Sequence, residues 1–275
     1  MSFDARLTLA RDGRAAADLE GVVPAAAYVE PKTRQLTVAS AAIRREPRGD
    51  AEQLDQLLFG ELFDVIEETG GWAFGQARRD GYVGFVEASG LSGPLAETSH
   101  WVSVLRTYAF SEPNIKSAPV GLYSMNALVG VEAREGRFAK GTGSGWFIEA
   151  HLAPIGSCQS DHAAVAEQFL GAPYQWGGRE SLGLDCSGLV QQALYACARA
   201  CPRDTDMQQA ALGASVDTVE RGDLVFWKGH VAIVTGDNAI IHANAHHMMV
   251  AREPLDQAID RIRAAGAGEP TFKRL

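Results

Sequence analysis

With 275 residues, 46% of them hydrophobic and 21% charged, the chain has the size and composition of a globular protein with room for about two domains, or more if some are small barrels. A formal net charge of −9 without any Lys/Arg stripe argues against nucleic acid as a partner. No stretch approaches the roughly 18 apolar residues of a membrane helix, so no membrane partner is expected. The segment from Met1 to Arg6 has no apolar signal-peptide core, which sets the expected location as cytoplasmic.

Residues 1–45 are Ala-rich and carry no site signal; their role is not legible. Pro47-Arg48-Gly49-Asp50 reads as a turn. Short strands separated by Gly-containing turns follow. Phe63–Glu67 leads to Gly71–Ala77, and Asp80-Gly81 turns the chain into Tyr82–Val86. This texture predicts a small all-β barrel over 46–98. It returns in Arg137–Lys140 and Phe147–Ala150, which predicts a second, divergent barrel over 99–157. From Asp161 the pattern turns helical, with Val165, Phe169 and Leu170 at helix spacing and Gly171-Ala172-Pro173 as the stop. Residues 158–275 read as a separate α+β domain.

The chemistry concentrates in that last block. After Gly188, apolar residues fall at Leu189, Val190, Ala193, Leu194 and Cys197, one stripe of a helix. Asp185 is a good N-cap, which puts Cys186 in the first turn. Helix N-terminal N–H groups favour a thiolate there and are placed to hold an oxyanion. On these grounds Cys186 should be the most reactive thiol; the plain alternative is a buried, inert cysteine. The other three cysteines, Cys158, Cys197 and Cys201, form neither a CxxC pair nor a zinc spacing and read as small hydrophobes.

Asp223–Val234 reads as two strands, or one bent at Gly229, and Ala239-Ile240-Ile241-His242-Ala243 as the returning strand after Gly236-Asp237-Asn238. If the loop is those three residues, Ala232 lies opposite His242 and His230 shares its face; a two-residue loop puts the histidines on opposite faces. Two imidazoles near a helix-capping thiol make a nucleophile–base–orienter set. His246 and His247 read as loop residues. A metal site from His230, His242, His246 and His247 has no carboxylate or thiolate at a familiar ligand spacing, so no metal or cofactor is expected.

Pro173–Gly178, Leu184-Asp185-Cys186-Ser187-Gly188, Gly222–Trp227, Gly229-His230-Val231 and Ile241-His242-Ala243, in this order, resemble the NlpC/P60 cysteine peptidases. The two β-rich stretches resemble bacterial SH3 (SH3b) domains. The resemblance implies a multidomain chain of SH3b-like barrels followed by a papain-like α+β domain, with Cys186 as nucleophile, His230 as base and acid, and His242 orienting His230. The arrangement is similar to the γ-D-glutamyl-L-diamino acid endopeptidases. That implies murein stem peptides as substrates, with Asp185, Ser187 and, from the first SH3b module, Glu61 and Tyr82 holding a free N-terminal L-Ala amine. Trp176 matches a Trp lining the cleft of that family, and Thr205 a position that is usually Ser or Thr. The functional expectation is recycling of wall peptides. A secreted hydrolase of intact wall, a lipid or amide acyltransferase, and a non-catalytic binding protein on the same fold are the alternatives.

Overall fold

The computed structural model describes residues 3–275 and divides into two compact units, Met1–Ile155 and Gly156–Leu275. The first is almost entirely β. Its largest sheet has seven strands, ordered Leu91–Ser92, Lys32–Leu36, Leu62–Thr69, Trp72–Ala77, Val83–Glu87, Ser40–Arg44 and Gln53–Leu58. Alternation along these strands drives Leu36, Ile43, Leu57, Phe63, Val65, Ala73, Ala77 and Val86 into one core. The first barrel therefore takes in Lys32–Leu36 and Ser40–Arg44, which the sequence boundary at 46 had left in the N-terminal segment. That segment also has a packing role: Leu9 and Ala16 join Ile66, Phe74, Val83 and Phe85 in a second cluster.

The second barrel-like region has a five-stranded and a three-stranded sheet between His100 and Pro154. Its core includes Phe59 together with Ala109, Tyr123, Val129 and Phe147. The two regions meet at Gly60, which has φ +81°; a Cβ there would lie 2.2 Å from the Leu128 carbonyl oxygen. Only glycine allows that approach.

The second unit is α+β. Its helices are α1 (His162–Glu167), α2 (Cys186–Ala196), α3 (Thr205–Ala211) and α4 (Leu255–Ala264). The strands of its main sheet are β1 (Ala214–Ser215), β2 (Leu224–Trp227), β3 (His230–Gly236), β4 (Ala239–Asn244), β5 (Met249–Pro254) and β6 (Thr271–Arg274), in the antiparallel order β1-β6-β2-β3-β4-β5. Val225, Trp227, Ala232, Val234 and Ile240 on one sheet face pack against Leu255, Ala258 and Ile262 of α4. Val231, Ile233, Ile241 and Ala243 are buried on the other face, and α1 and α2 lie against β3 and β4.

The β3–β4 hairpin settles the question left open by loop length. The turn has two residues, Asp237 and Asn238, both in the left-handed region with φ 50° and 55°. Yet Ile233 pairs with Ile241 and Val234 with Ile240, because the register shifts between Val234 and Gly236. Thr235 is the extra residue, a β-bulge that restores the register a three-residue loop would have given. The Arg221 guanidinium donates to the Thr235 carbonyl at 2.6 Å and Arg252 to its hydroxyl at 3.2 Å. His230 and His242 consequently share a face.

Candidate active site

Cys186 opens α2. Asp185 is the N-cap, in extended backbone, and accepts from the Gly188 N–H at 2.8 Å. The loop before the helix folds onto its first turn: the Gly177 N–H donates to Asp185 Oδ2 at 2.9 Å. A Cβ on Gly188 would sit 2.2 Å from the Gly178 carbonyl oxygen, so the Gly in Cys186-Ser187-Gly188 is what lets loop and helix touch. The Thr205 hydroxyl, in the first turn of α3, lies 3.8 Å from the Cys186 sulfur. The sulfur also accepts from the Val231 backbone N–H, which brings it to the start of β3, beside His230.

The sequence predicted a thiol acidified by the helix; the structure reverses this. Burial, and then the charge of Asp185, push Cys186 up to about 11, against the smaller opposing pulls of the Val231 N–H, the Thr205 hydroxyl and the Ser187 N–H. The magnitudes explain the outcome. A helix terminus contributes about 0.3–1 kcal/mol at an exposed site, less than one pKa unit, whereas full burial shifts a group by up to about 3–5 units. His230 moves the other way, down to about 3, chiefly by burial and then by the neighbouring His242 and Arg261 charges. These shifts favour the uncharged forms of both groups, a thiol and an imidazole.

Behind His230 runs a chain of hydrogen bonds. His230 Nε2 lies 2.8 Å from His242 Nδ1, and His242 Nε2 lies 2.7 Å from Glu253 Oε1, which Arg261 also contacts. The chain fixes both tautomers. The Glu253 carboxylate, held below the usual range by His242 and Arg261, only accepts, so His242 carries its proton on Nε2. Its Nδ1 then accepts from His230 Nε2–H, which leaves the lone pair of His230 on Nδ1, the nitrogen that can take a proton.

Asp185 is more committed than the sequence indicated. Arg203, fully buried, binds it with two bonds, Nη1 to Oδ1 at 3.0 Å and Nη2 to Oδ2 at 2.6 Å. Ser187 Oγ donates to Oδ1 at 3.1 Å and accepts from Arg203 at 2.8 Å. Together with Gly177 and Gly188, these donors fill the roughly four lone-pair positions of a carboxylate. Among the other expected substrate residues, Thr205 joins Cys186 as described. Trp176 is exposed, at 62%. Glu61 and Tyr82 both lie buried in the first unit. The Glu61 carboxylate accepts from Arg79 at 2.7 Å and from the Leu58 N–H at 3.0 Å, so its charge is already balanced within that unit.

Sequence reasoning missed Glu253, Arg261, Arg203 and Tyr174. Glu253 pairs with Ile240 on β5, diagonal to His242, a relationship legible only with the β4–β5 register in hand. Tyr174 is half-buried; burial, then the charges of Cys186 and Asp185, raise its pKa, so its hydroxyl stays protonated.

Residues 43–91 match the bacterial dipeptidyl-peptidase SH3 domain and residues 171–264 the NlpC/P60 family. Dipeptidyl-peptidase 6 of Lysinibacillus sphaericus is 25% identical over 230 residues, covering 74% of this chain and 84% of that protein. The gamma-D-glutamyl-L-lysine dipeptidyl-peptidase of Bacillus subtilis strain 168 is 28% identical over 211 residues, covering 68% and 71%. The crystal structure of an NlpC/P60 family protein from Bacillus cereus ATCC 10987 shares the fold with a TM-score of 0.71 at 19% identity, over 82% of this chain and 95% of that one. The motifs around Cys186, His230 and His242 thus lie in a stretch that matches the NlpC/P60 family, behind one that matches the bacterial dipeptidyl-peptidase SH3 domain.

Proposed function

We propose that this protein is a cysteine peptidase that cleaves the γ-D-Glu–diamino acid bond of murein stem peptides with a free N-terminal L-Ala, in the cytoplasmic recycling of wall fragments. The observation that carries the chemistry is the chain from Glu253 through His242 to His230, next to Val231, whose backbone N–H bonds the Cys186 sulfur. The names of the two dipeptidyl-peptidase relatives support the substrate class. His230 Nδ1 takes the thiol proton as Cys186 Sγ attacks the amide carbonyl, and returns it to the leaving amine as the acyl–enzyme forms. Water, deprotonated by the same nitrogen, then releases the acid and restores the thiol. Because the pair rests uncharged, proton transfer accompanies attack. Asp185, Ser187 and Arg203 hold the start of α2 in place.

The test compares kcat/KM for L-Ala-γ-D-Glu-diamino acid and its N-acetylated form, with products identified by mass spectrometry. The expected result is release of L-Ala-γ-D-Glu and a loss of at least about a hundredfold on acetylation. The second reading, hydrolysis of intact wall, is favoured by one observation: Asp185 is saturated by the chain's own donors and does not call for a substrate ammonium. Equal rates on the two peptides would select it.

A further inference from the structure

Past Asn244 the chain turns between β4 and β5 and brings a third imidazole to the far end of the relay. One ligand atom each of His242, His247 and Glu253 lies within 4.8 Å of the others. Asn244 Oδ1 accepts from the His247 backbone N–H at 2.8 Å and sits 3.0 Å from His247 Nδ1. An amide oxygen there holds the ring proton on Nδ1 and leaves Nε2 as a lone pair, as the second shell of a metal-binding histidine does. Both bonds of Glu253, to His242 and to Arg261, fall on Oε1; among the described residues Oε2 has no hydrogen-bond partner.

We propose that His242, His247 and Glu253 form a site for Zn²⁺ or a similar divalent transition ion, and that filling it switches the peptidase off. Two imidazoles and a carboxylate are a zinc donor set with one position left for water. Bonds of about 2.0–2.1 Å in a tetrahedron put ligand atoms roughly 3.4 Å apart, so the site closes when His247 moves in and the 2.7 Å contact of His242 Nε2 with Glu253 opens by about 0.7 Å. The Arg261 cation beside Glu253 opposes the ion and keeps the site weaker than a structural one, able to fill and empty.

The switching half rests on the reading of His230 as the base; the binding half does not. A metal on His242 Nε2 needs the lone pair there, so the single proton of that ring sits on Nδ1. Nδ1–H then donates to His230 Nε2, and the proton of His230 moves to Nδ1. Each ring keeps one proton and none is lost to solvent, but the polarity of the relay is inverted. The nitrogen that should receive the thiol proton is already protonated, with no metal contact at Cys186.

The experiment uses the full chain carrying Cys186→Ala, Cys158→Ala and Cys197→Ala, which removes the thiol beside the relay and the two that are not buried, all of which would otherwise compete for the ion. It is titrated with Zn²⁺ against a chromogenic chelator and with Co²⁺ in the visible range. The expected result is one equivalent bound without a thiolate charge-transfer band, and affinity at least about tenfold weaker after His247→Ala in the same background. In the active enzyme, Zn²⁺ should abolish turnover and EDTA restore it. His247→Ala should keep its metal-free kcat and need at least about tenfold more Zn²⁺ for the same inhibition. Undiminished binding by the His247→Ala protein, or a thiolate band, overturns the site. Full occupancy with unchanged turnover overturns the switch. A metal-free wild-type enzyme that cleaves no muropeptide overturns the peptidase reading and leaves the binding result to stand or fall by itself.

Discussion

Glu253 Oε1 accepts from His242 Nε2 at 2.7 Å, and this one bond decides where the proton sits on the next ring. A carboxylate at the end of the chain makes both imidazoles donors in one direction. An amide in the same place would offer a donor and reverse them.

Glu253→Gln is therefore expected to lower kcat more than Glu253→Ala. The loss should lie between the ten- to hundredfold typical of a tuning residue and the roughly 10⁴-fold of a wrong tautomer, with KM little changed. Steady-state kinetics on the tripeptide, with ¹⁵N shifts of the His230 ring, read both effects. Equal activity of Glu253→Gln and wild type would remove Glu253 from the relay.

The uncharged resting pair gives an order of thiol reactivity opposite to that expected for a helix-activated cysteine. With Cys186 pushed up to about 11 and buried, iodoacetamide at neutral pH should label the exposed Cys158 first. Labelling of Cys186 should rise steeply only in strong alkali, and Cys186→Ala should abolish turnover. Peptide mapping by mass spectrometry after timed quenching checks the order; preferential labelling of Cys186 at pH 7 contradicts it.

Arg203 and Asp185 form a buried pair, and removal of one partner strands the other charge. Arg203→Met is expected to destabilise the protein by about 3–5 kcal/mol. Arg203→Met with Asp185→Asn should recover part of that loss, since no charge is left unpaired. Urea unfolding of the two variants measures it. A loss below about 1 kcal/mol for Arg203→Met would mean that the ion pair does not hold the helix start.

Acid should weaken the fold through the same histidines. Burial holds His230 near 3 and lowers His242 below its ordinary 6.5. Below about pH 6.5 the unfolded chain binds protons that the folded chain does not, so stability falls as pH falls. The slope should reach about 1.4 kcal/mol per pH unit for each ring that stays neutral, between pH 6.5 and about 4. Urea midpoints at pH 7, 6 and 5 follow it, and His230→Gln should show a shallower slope. An identical slope in the variant would exclude His230 as a source.

The features that were legible in the sequence are those written in local period and capping. Asp185 caps α2 as its neighbours indicated, and the shared face of His230 and His242 followed from alternation once a loop length was assumed. The assumed loop was one residue too long, and the bulge at Thr235 made up the difference. What stayed hidden depends on contacts between distant segments. No local pattern separates a buried Arg203 from a solvated one, or places Glu253 across a turn from His242. Nor does composition tell how deeply Cys186 is buried, and depth outweighs the helix terminus in setting its charge. The strands Lys32–Leu36 and Ser40–Arg44 escaped because polar and Ala residues dominate them and their hydrophobic signal is short.

The bulge at Thr235 makes the length of the β3–β4 hairpin a functional quantity, although no reacting atom lies in it. Strand pairing has a period of two, so if Thr235 lost its bulge and paired with Ile240, β4 would slide by one step and Ile241 and His242 would exchange sides. The hydrogen-bond ladder would survive, while an aliphatic side chain would stand where the second imidazole belongs. Any graft of this relay into another sheet must therefore carry the bulge and its two arginine anchors, Arg221 and Arg252, along with the histidines. Deletion of Thr235 itself would leave Val234 paired with Ile240, since the bulge and the extra residue go together, whereas a substitution that flattens the bulge at unchanged length would not.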